Sequence, residues 1–206
     1  MSTLDFLSPH RALRDGEFRP LLKSSMERRQ RDAGAHVEER GGWLLPISFP
    51  GEADRLESVG IVDLSHLAKF EVRGGTAQLD GDEGAVWYEI HPGRALVLCR
   101  YGRSEWMRDR LERNFPYVLD QTAAYSILAV VGPEAPTVMR RLTHLHAFPA
   151  SGDVSGIAAH VLERRNGYWI LFPQEYGHYL WEVAVDAAEP FGGGPAGVDA
   201  VEGLDP

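Results

Sequence analysis

The dipeptide Asn166-Gly167 places a strong limit on how this 206-residue sequence folds. It separates two short apolar segments, residues 157–162 and 168–172, that have the composition of β-strands. Asn-Gly is the preferred pair in the two-residue turns of β-hairpins. Because such a turn joins antiparallel strands, the sheet of this protein must be antiparallel at this point.

Four further segments have the patterns of strands. Residues 86–90 and 95–99 flank His91-Pro92-Gly93-Arg94 and predict a second hairpin. The segment from Lys69 to Arg73 alternates with period two, which predicts a strand buried on one face. The apolar run from Ser126 to Val131 is continuous and predicts a central strand.

Apolar residues at helical spacing predict four amphipathic helices. Their markers are Leu22, Met26, Arg29 and Ala33 before a stop at Gly34; Met107, Leu111 and Phe115 after a cap at Ser104; Ala135, Val138, Met139 and Leu142 after Gly132-Pro133-Glu134; and Tyr176, Tyr179, Leu180 and Val183 after Pro173. Helices combined with hairpins favour an α+β fold with a largely antiparallel sheet and packed helices over a doubly wound parallel sheet.

Composition excludes several classes of protein. The net charge is −9, which argues against general nucleic-acid binding. No stretch approaches the ~20 consecutive apolar residues of a membrane span, and the N-terminus lacks the apolar core of a signal peptide. The single cysteine, Cys99, cannot form an internal disulfide. We therefore expect a cytoplasmic protein with no nucleic-acid or membrane partner.

The end of the sequence changes in composition. Residues 190–195 are rich in glycine and proline, and Gly192-Gly193-Gly194 predicts a flexible linker. The segment 186–206 carries five acidic residues and no basic one. We therefore divide the chain into an N-terminal extension (1–23), a folded domain (24–188) and a Gly/Pro-rich acidic tail (189–206).

No set of polar residues in the sequence requires a particular reaction. Asp63, Ser65 and His66 are residue types found in hydrolytic triads, but neighbours in sequence rarely bring three side chains together in space. A polar loop that bonds to nearby backbone amides is the better interpretation. His144 and His146 lack a third metal ligand at suitable spacing and are interpreted as loop residues.

Several segments together resemble the folate-binding domain of the aminomethyltransferase family, the T-protein of glycine cleavage. The segment from Val59 to Gly74, VGIVDLSHLAKFEVRG, is similar to the family's AGLFDVSHMGKIEVRG. Residues 41–46 (GGWLLP), 128–135 (LAVVGPEA) and 166–173 (NGYWILFP) resemble AGWEMP, ALLALQGPKA and DGFEIYVP in the same order. The resemblance covers residues 24–206 and implies the fold of that domain without the family's C-terminal barrel domain. A stand-alone domain of this length also resembles the gamma subunit of heterotetrameric sarcosine oxidase.

The resemblance implies tetrahydrofolate as the cofactor, but two of its motifs are altered. The family's GGIIDDLIV hairpin supplies an acidic residue at the folate, and the corresponding segment Glu89 to Ala95 is short and has no aspartate. The family's GYTGE segment supplies a glutamate to the pterin ring, and Leu162 to Arg165 occupies its place, so that Arg165 stands for the carboxylate. This exchange reverses charge and hydrogen-bond direction.

The resemblance identifies eight candidate folate-binding residues and no catalytic or metal-binding residue: Asp63, His66, Tyr88, Arg100, Glu163, Arg164, Arg165 and Tyr168. It predicts a subunit of folate-linked one-carbon metabolism, of the glycine or sarcosine type, with degenerate catalytic residues and a protein partner or a second copy of itself. The alternatives are an autonomous tetrahydrofolate-dependent aminomethyltransferase or demethylase with a rearranged pocket, and a non-enzymatic dimerisation or regulatory module.

Overall fold

In the computed structural model of the chain, the described residues are 20–75, 79 and 84–201. Most of the predicted N-terminal extension and the last five residues of the predicted tail lie outside them. The described residues form mixed sheets and short helices, which confirms the α+β fold class. None of the helices in these ranges is both long and apolar enough to cross a membrane.

The larger sheet contains the first predicted hairpin and the central strand. Among the described residues it has six strands, in the spatial order β10 (Ala150–Val154), β11 (Ile157–Arg164), β12 (Gly167–Pro173), β9 (Tyr125–Val131), β4 (Gly60–Asp63) and β13 (Gly194–Pro195). Every neighbouring pair is antiparallel except β13 and β4, which are parallel. The hairpin at Asn166-Gly167 and the central position of β9 are therefore both confirmed.

Two smaller sheets complete the β-structure of the described ranges. The four-stranded sheet has the order β6 (Ala85–His91), β7 (Arg94–Cys99), β5 (Ala68–Arg73) and β8 (Tyr117–Asp120), all antiparallel, and β6–β7 is the second predicted hairpin. The three-stranded sheet has the order β1 (Leu22–Lys23), β3 (Trp43–Ser48) and β2 (His36–Arg40). Residues 22–23, predicted to lie in an extension, thus pair with β3 and join the domain.

The core is built on both faces of the larger sheet. The α-helices in the described ranges are α1 (Glu27–Asp32), α2 (Glu52–Leu56), α3 (Ser104–Asn114), α4 (Ala135–Leu142) and α5 (Gly177–Ala188). Along β9, Leu128 and Val130 face α4 and α5, whereas Ile127 and Ala129 face β3 and the β6–β7 hairpin. Because successive side chains of a strand alternate, this strand is apolar throughout. A separate cluster packs α3 against the four-stranded sheet.

The predicted helices form in part, but their ends and one of their faces were wrong. In the first, Leu22 lies in β1 instead, the helix begins at Glu27, and Arg29 and Ala33 of the predicted apolar face are exposed. Ser104 is the first residue of α3 and makes no capping hydrogen bond. Proline stands at the start of α4 as Pro136, not as Pro133. Pro173 precedes a 3-10 turn, and α5 begins only at Gly177. The helix therefore buries Leu180, Trp181 and Ala184, while Tyr176 and Tyr179 of the predicted apolar face are exposed.

Strand β5 is not half-buried as the alternation predicts. Lys69 and Glu71, on its polar positions, are 0% and 1% exposed. The alternate residues Ala68, Phe70 and Val72 pack in the apolar cluster with α3. Both faces of β5 are covered because the four-stranded sheet packs against the rest of the domain, which local sequence does not reveal.

The prediction of a flexible linker at Gly192-Gly193-Gly194 is wrong for the described part of the segment. Residues 194–195 form β13, and Ala196, Val198 and Val201 are buried in the core. The glycines permit close approach of backbones: a Cβ on Gly193 would lie 2.5 Å from Val59 O. Side-chain contacts add to this docking, since Arg40 and Asp199 form a salt bridge with an Nη2–Oδ2 distance of 2.8 Å.

Candidate functional site

A cleft lies at the end of the β11–β12 hairpin. We call it the hairpin cleft; it has a volume of about 600 Å³ and is lined by residues 163–168, the turn at Gly132-Pro133, and Ala200-Val201. The hairpin turn is held close to β9, because a Cβ on Gly167 would lie 2.0 Å from Val130 O. Only a glycine allows this approach, so the Asn-Gly turn shapes both the strand pairing and the cleft wall.

Arg164 is a half-buried cation in the wall of the hairpin cleft. Its guanidinium carbon lies 4.8 Å from the centre of the Trp169 ring. Burial lowers the pKa of Arg164 below its ordinary value. Its Nε atom is buried and has no hydrogen-bond partner in the described ranges. A guanidinium without a carboxylate partner is suited to bind an anionic group of a ligand.

Arg94, another partly buried arginine whose Nε has no hydrogen-bond partner in the described ranges, differs in having a carboxylate partner. Arg94 donates from Nη2 to Glu71 Oε2 at 2.7 Å, and this hydrogen bond raises the pKa of Arg94. Burial raises the pKa of Glu71, but hydrogen bonds from Arg94 and Arg73 outweigh burial and hold that pKa below its ordinary value. Arg164 has no such carboxylate within 4.0 Å among the described residues.

Three more predicted site residues line the hairpin cleft. Glu163 and Tyr168 are paired across β11 and β12, and Arg165 is exposed in the turn. Burial, then the charge of Glu163, raises the pKa of Tyr168, whose ring packs edge-on against Phe148 at 5.1 Å. The structure thus brings four of the eight predicted residues together in this cleft: Glu163, Arg164, Arg165 and Tyr168.

Asp63 belongs instead to a buried polar network. Its Oδ1 accepts from the Ser65 backbone N–H at 2.9 Å, and its Oδ2 accepts from Gln30 Nε2 at 2.7 Å. Ser65 Oγ accepts from the Ile127 N–H at 3.1 Å. These bonds match the interpretation of a polar loop that satisfies nearby amides.

The remaining predicted residues lie outside the hairpin cleft. Tyr88 is buried, and its hydroxyl is 2.6 Å from Ser151 Oγ, which in turn is 2.7 Å from His160 Nδ1. His66 is half-buried after Ser65, and Arg100 is exposed at the end of β7. Neither His66 nor Arg100 lines the hairpin cleft.

Lys69 is a buried group that sequence reasoning missed. Its Nζ donates to Ser65 O at 2.7 Å and to Leu67 O at 2.8 Å, and it is fully enclosed. Burial lowers its pKa to about 7, although the charges of Asp63 and Asp120 oppose that change. The only sequence signal was a charged residue between the apolar residues of a strand, which is also the signal of an exposed face.

A second cleft lies beside the buried polar network of Asp63, and Ser65 belongs to both. We call it the hydroxyl cleft, and it has a volume of about 270 Å³. Its walls include aromatic residues and residues with hydroxyl groups: Trp43, Tyr101, Tyr125, Ser65, Thr122 and Ser126. No group of three or more potential metal ligands occurs in the described ranges.

The sequence of the chain is similar to those of proteins named aminomethyltransferase. An aminomethyltransferase of Mycobacterium tuberculosis is 30% identical over 233 aligned residues, and that of Mycobacterium leprae is 29% identical over 231. Each match covers 89% of this chain and 62% of the relative. No family model matches the chain.

Two solved structures share the fold. The glycine cleavage system aminomethyltransferase T from Bartonella henselae superposes with a TM-score of 0.70 at 17% identity, over 89% of this chain and 62% of that one. A chain of the heterotetrameric sarcosine oxidase from Corynebacterium gives a TM-score of 0.56 at 16% identity, over 68% of this chain and 90% of that one. The resemblance in the sequence motifs is confirmed: this chain is similar to aminomethyltransferases along most of its own length and spans about three fifths of theirs.

Proposed function

We propose that this chain binds a reduced folate in the hairpin cleft and serves folate-linked one-carbon metabolism as an aminomethyltransferase-like subunit. The unpartnered guanidinium of Arg164 carries the proposal. The similarity to aminomethyltransferases along 89% of the chain supports it. The single cysteine, Cys99, supports a cytoplasmic location as part of the same proposal.

The residues of the hairpin cleft fit such a ligand in charge and size. A folate combines a flat pterin ring with a glutamate that carries two carboxylates. Arg164 would bind a carboxylate, because its Nε is buried without a partner and a bidentate pair with a carboxylate satisfies such a group. Tyr168 and Glu163 would line the remaining surface. When bound, a reduced folate supplies the nitrogen atoms that carry a one-carbon unit.

Replacing Arg164 with glutamine is expected to weaken folate binding about tenfold, because the carboxylate loses its charge-assisted partner. The measurement is calorimetric titration with 5-formyltetrahydrofolate. Arg113→Gln is the matched control, since Arg113 is exposed on α3 and should leave the affinity unchanged. Equal affinity of both variants and the parent, or no binding by a folded parent, contradicts the proposed site.

The subunit role is supported by exposed apolar side chains at one edge of the four-stranded sheet. Tyr117 and Leu119 on the edge strand β8 are 67% and 43% exposed, and Trp106 on α3 is 44% exposed. Large exposed aromatic residues are typical of interfaces. The fold is also that of a chain in a heterotetrameric enzyme.

We expect the chain alone to show no turnover with tetrahydrofolate and an aminomethyl donor. When the chain is co-expressed with the products of neighbouring genes, it should elute in a complex that Tyr117→Lys disrupts while the monomer stays folded. Size-exclusion chromatography with light scattering tests this. Full turnover by the isolated monomer would establish an autonomous enzyme, and a folded chain with neither folate binding nor a complex would favour a non-enzymatic module.

A further inference from the structure

The hydroxyl cleft has a size and a lining that differ from those of the hairpin cleft. Its volume is about 270 Å³, less than half that of the hairpin cleft, and no residue lines both. Its walls come from segments far apart in sequence, including Trp43 on β3, Ser65 in the loop after β4, and Thr122 and Ser126 around the start of β9. A molecule the size of a single substituted ring fits this volume.

Residues that line the hydroxyl cleft carry hydrogen-bond donors that are not used within the protein. Ser65 Oγ accepts from Ile127 N and Thr122 Oγ1 accepts from Lys69 N, so each hydroxyl keeps its own proton to donate. The indole N–H of Trp43 is buried and has no partner in the described part of the chain. A buried donor without an acceptor is destabilising, because the hydrogen bond it made to water is not replaced. A ligand with acceptor oxygens would satisfy these donors.

The charges around the cleft favour an anion. The side-chain amino group of Lys69 lies directly behind the wall, because its Nζ donates to the carbonyl oxygen of Ser65. One carboxylate, that of Asp120, lines the cleft itself, but it is paired with Arg108 and also accepts from the Thr122 N–H. The carboxylate of Asp63 accepts from Gln30 and Ser65. Lys23 lies at the rim as a further cation.

The apolar surface of the cleft is aromatic. The rings of Trp43 and Tyr101 are 5.7 Å apart and inclined by 80°, and Tyr125 forms a further wall. Tyr101 and Tyr125 also carry hydroxyl groups, so these two lining residues combine aromatic and polar character. Perpendicular rings can contact both a face and an edge of a flat ligand.

We propose that the hydroxyl cleft binds a small planar carboxylate, with the ring of the ligand against Trp43 and Tyr101 and its carboxylate against the hydroxyl donors. This site is separate from the proposed folate site, because the two clefts share no residue. It therefore stands or falls independently of folate binding.

Benzoate, benzylamine and benzyl alcohol test this assignment, because they share one ring and differ in charge. Titrations are followed by the indole N–H signals of the five tryptophans in ¹H–¹⁵N NMR spectra, with Trp43 assigned by its loss in Trp43→Phe. We expect benzoate to bind with a dissociation constant of about 1 mM and to move the Trp43 signal. Benzylamine and benzyl alcohol should bind at least about fivefold more weakly.

The matched control is Trp87→Phe. The Trp87 indole N–H is also buried without a partner, but Trp87 does not line the cleft. Trp43→Phe should weaken benzoate binding about fivefold, because it keeps an aromatic ring and removes the donor, whereas Trp87→Phe should not change the affinity. Thermal melts confirm that both variants are folded. Absence of benzoate binding, equal binding of the three probes, or equal losses in the two variants overturns the proposal.

Discussion

Replacing Gly197 with alanine is expected to lower the free energy of unfolding by about 3 kcal/mol. An added Cβ would lie 2.0 Å from the carbonyl oxygen of Ile47 and 2.4 Å from the backbone nitrogen of Ser48. Both atoms belong to strand β3, so the clash is with a backbone that cannot turn aside as a flexible side chain can. The segment 196–201 would have to move and expose Val198 and Val201, which are buried.

Thermal and urea unfolding measure this effect. For a chain of this length, the loss corresponds to a fall in melting temperature of about 6–12 °C. Gly102→Ala is the matched control, because its Cβ would meet nothing within 4 Å. Gly197→Ala with the stability of this control would mean that the segment after β13 does not pack against β3.

Replacing Lys69 with methionine is expected to change how stability depends on pH. The pKa of Lys69 is lowered to about 7 in the folded protein, chiefly by burial, from an ordinary value of 10.5. Between these values the unfolded chain binds more protons than the folded one, so the contribution of Lys69 to stability rises with pH. From pH 7 to pH 9 the parent protein should gain about 2 kcal/mol relative to Lys69→Met.

Urea unfolding of both proteins at pH 7, 8 and 9 measures this difference. Lys23 is the other lysine of the chain and its side chain is 63% exposed, so Lys23→Met is the control and should run parallel to the parent. Because the chain has two lysines, ¹³C NMR of their Cε atoms also gives both pKa values directly. A Lys69 signal that titrates near pH 10 would contradict the burial of its ammonium.

The parts of the fold that could be predicted have local causes. Asn166-Gly167 specifies its turn through backbone conformations that few other residue pairs adopt. The run ending at Val131 is apolar on both faces because β9 has neighbours on both sides and layers above and below. In both segments, the residues that determine the local structure are adjacent in the chain.

The errors arose where long-range packing decides. Gly193 and Gly197 are typical of a linker by composition, yet each is a glycine because a backbone carbonyl lies against it. Lys69 has the alternation of a solvent-facing residue, but carbonyl oxygens of its own loop enclose its ammonium. Neither arrangement leaves a local signal, since the contacting backbone depends on how the layers assemble.

The site was predictable in part for the same reason. Glu163, Arg164, Arg165 and Tyr168 are close in sequence across one turn, and the structure places them in one cleft. Asp63 and Tyr88 are held elsewhere by Gln30 and Ser151, partners that no motif indicates. What sequence could not supply was the absence of a carboxylate beside Arg164 in the described ranges, which gives that residue its proposed role.

The parallel pairing of β13 with β4 has a consequence for how the chain is made in the cell. Gly60 and Ile61 pair with Gly194 and Pro195. The ribosome must therefore synthesise well over a hundred residues after β4 before its partner strand β13 exists. During that time β4 is a bare edge whose unpaired amides and carbonyls can accept a strand from another molecule. Mutations that weaken the packing of residues 194–201 should therefore reduce the soluble yield during expression more than their effect on the stability of the purified protein would suggest.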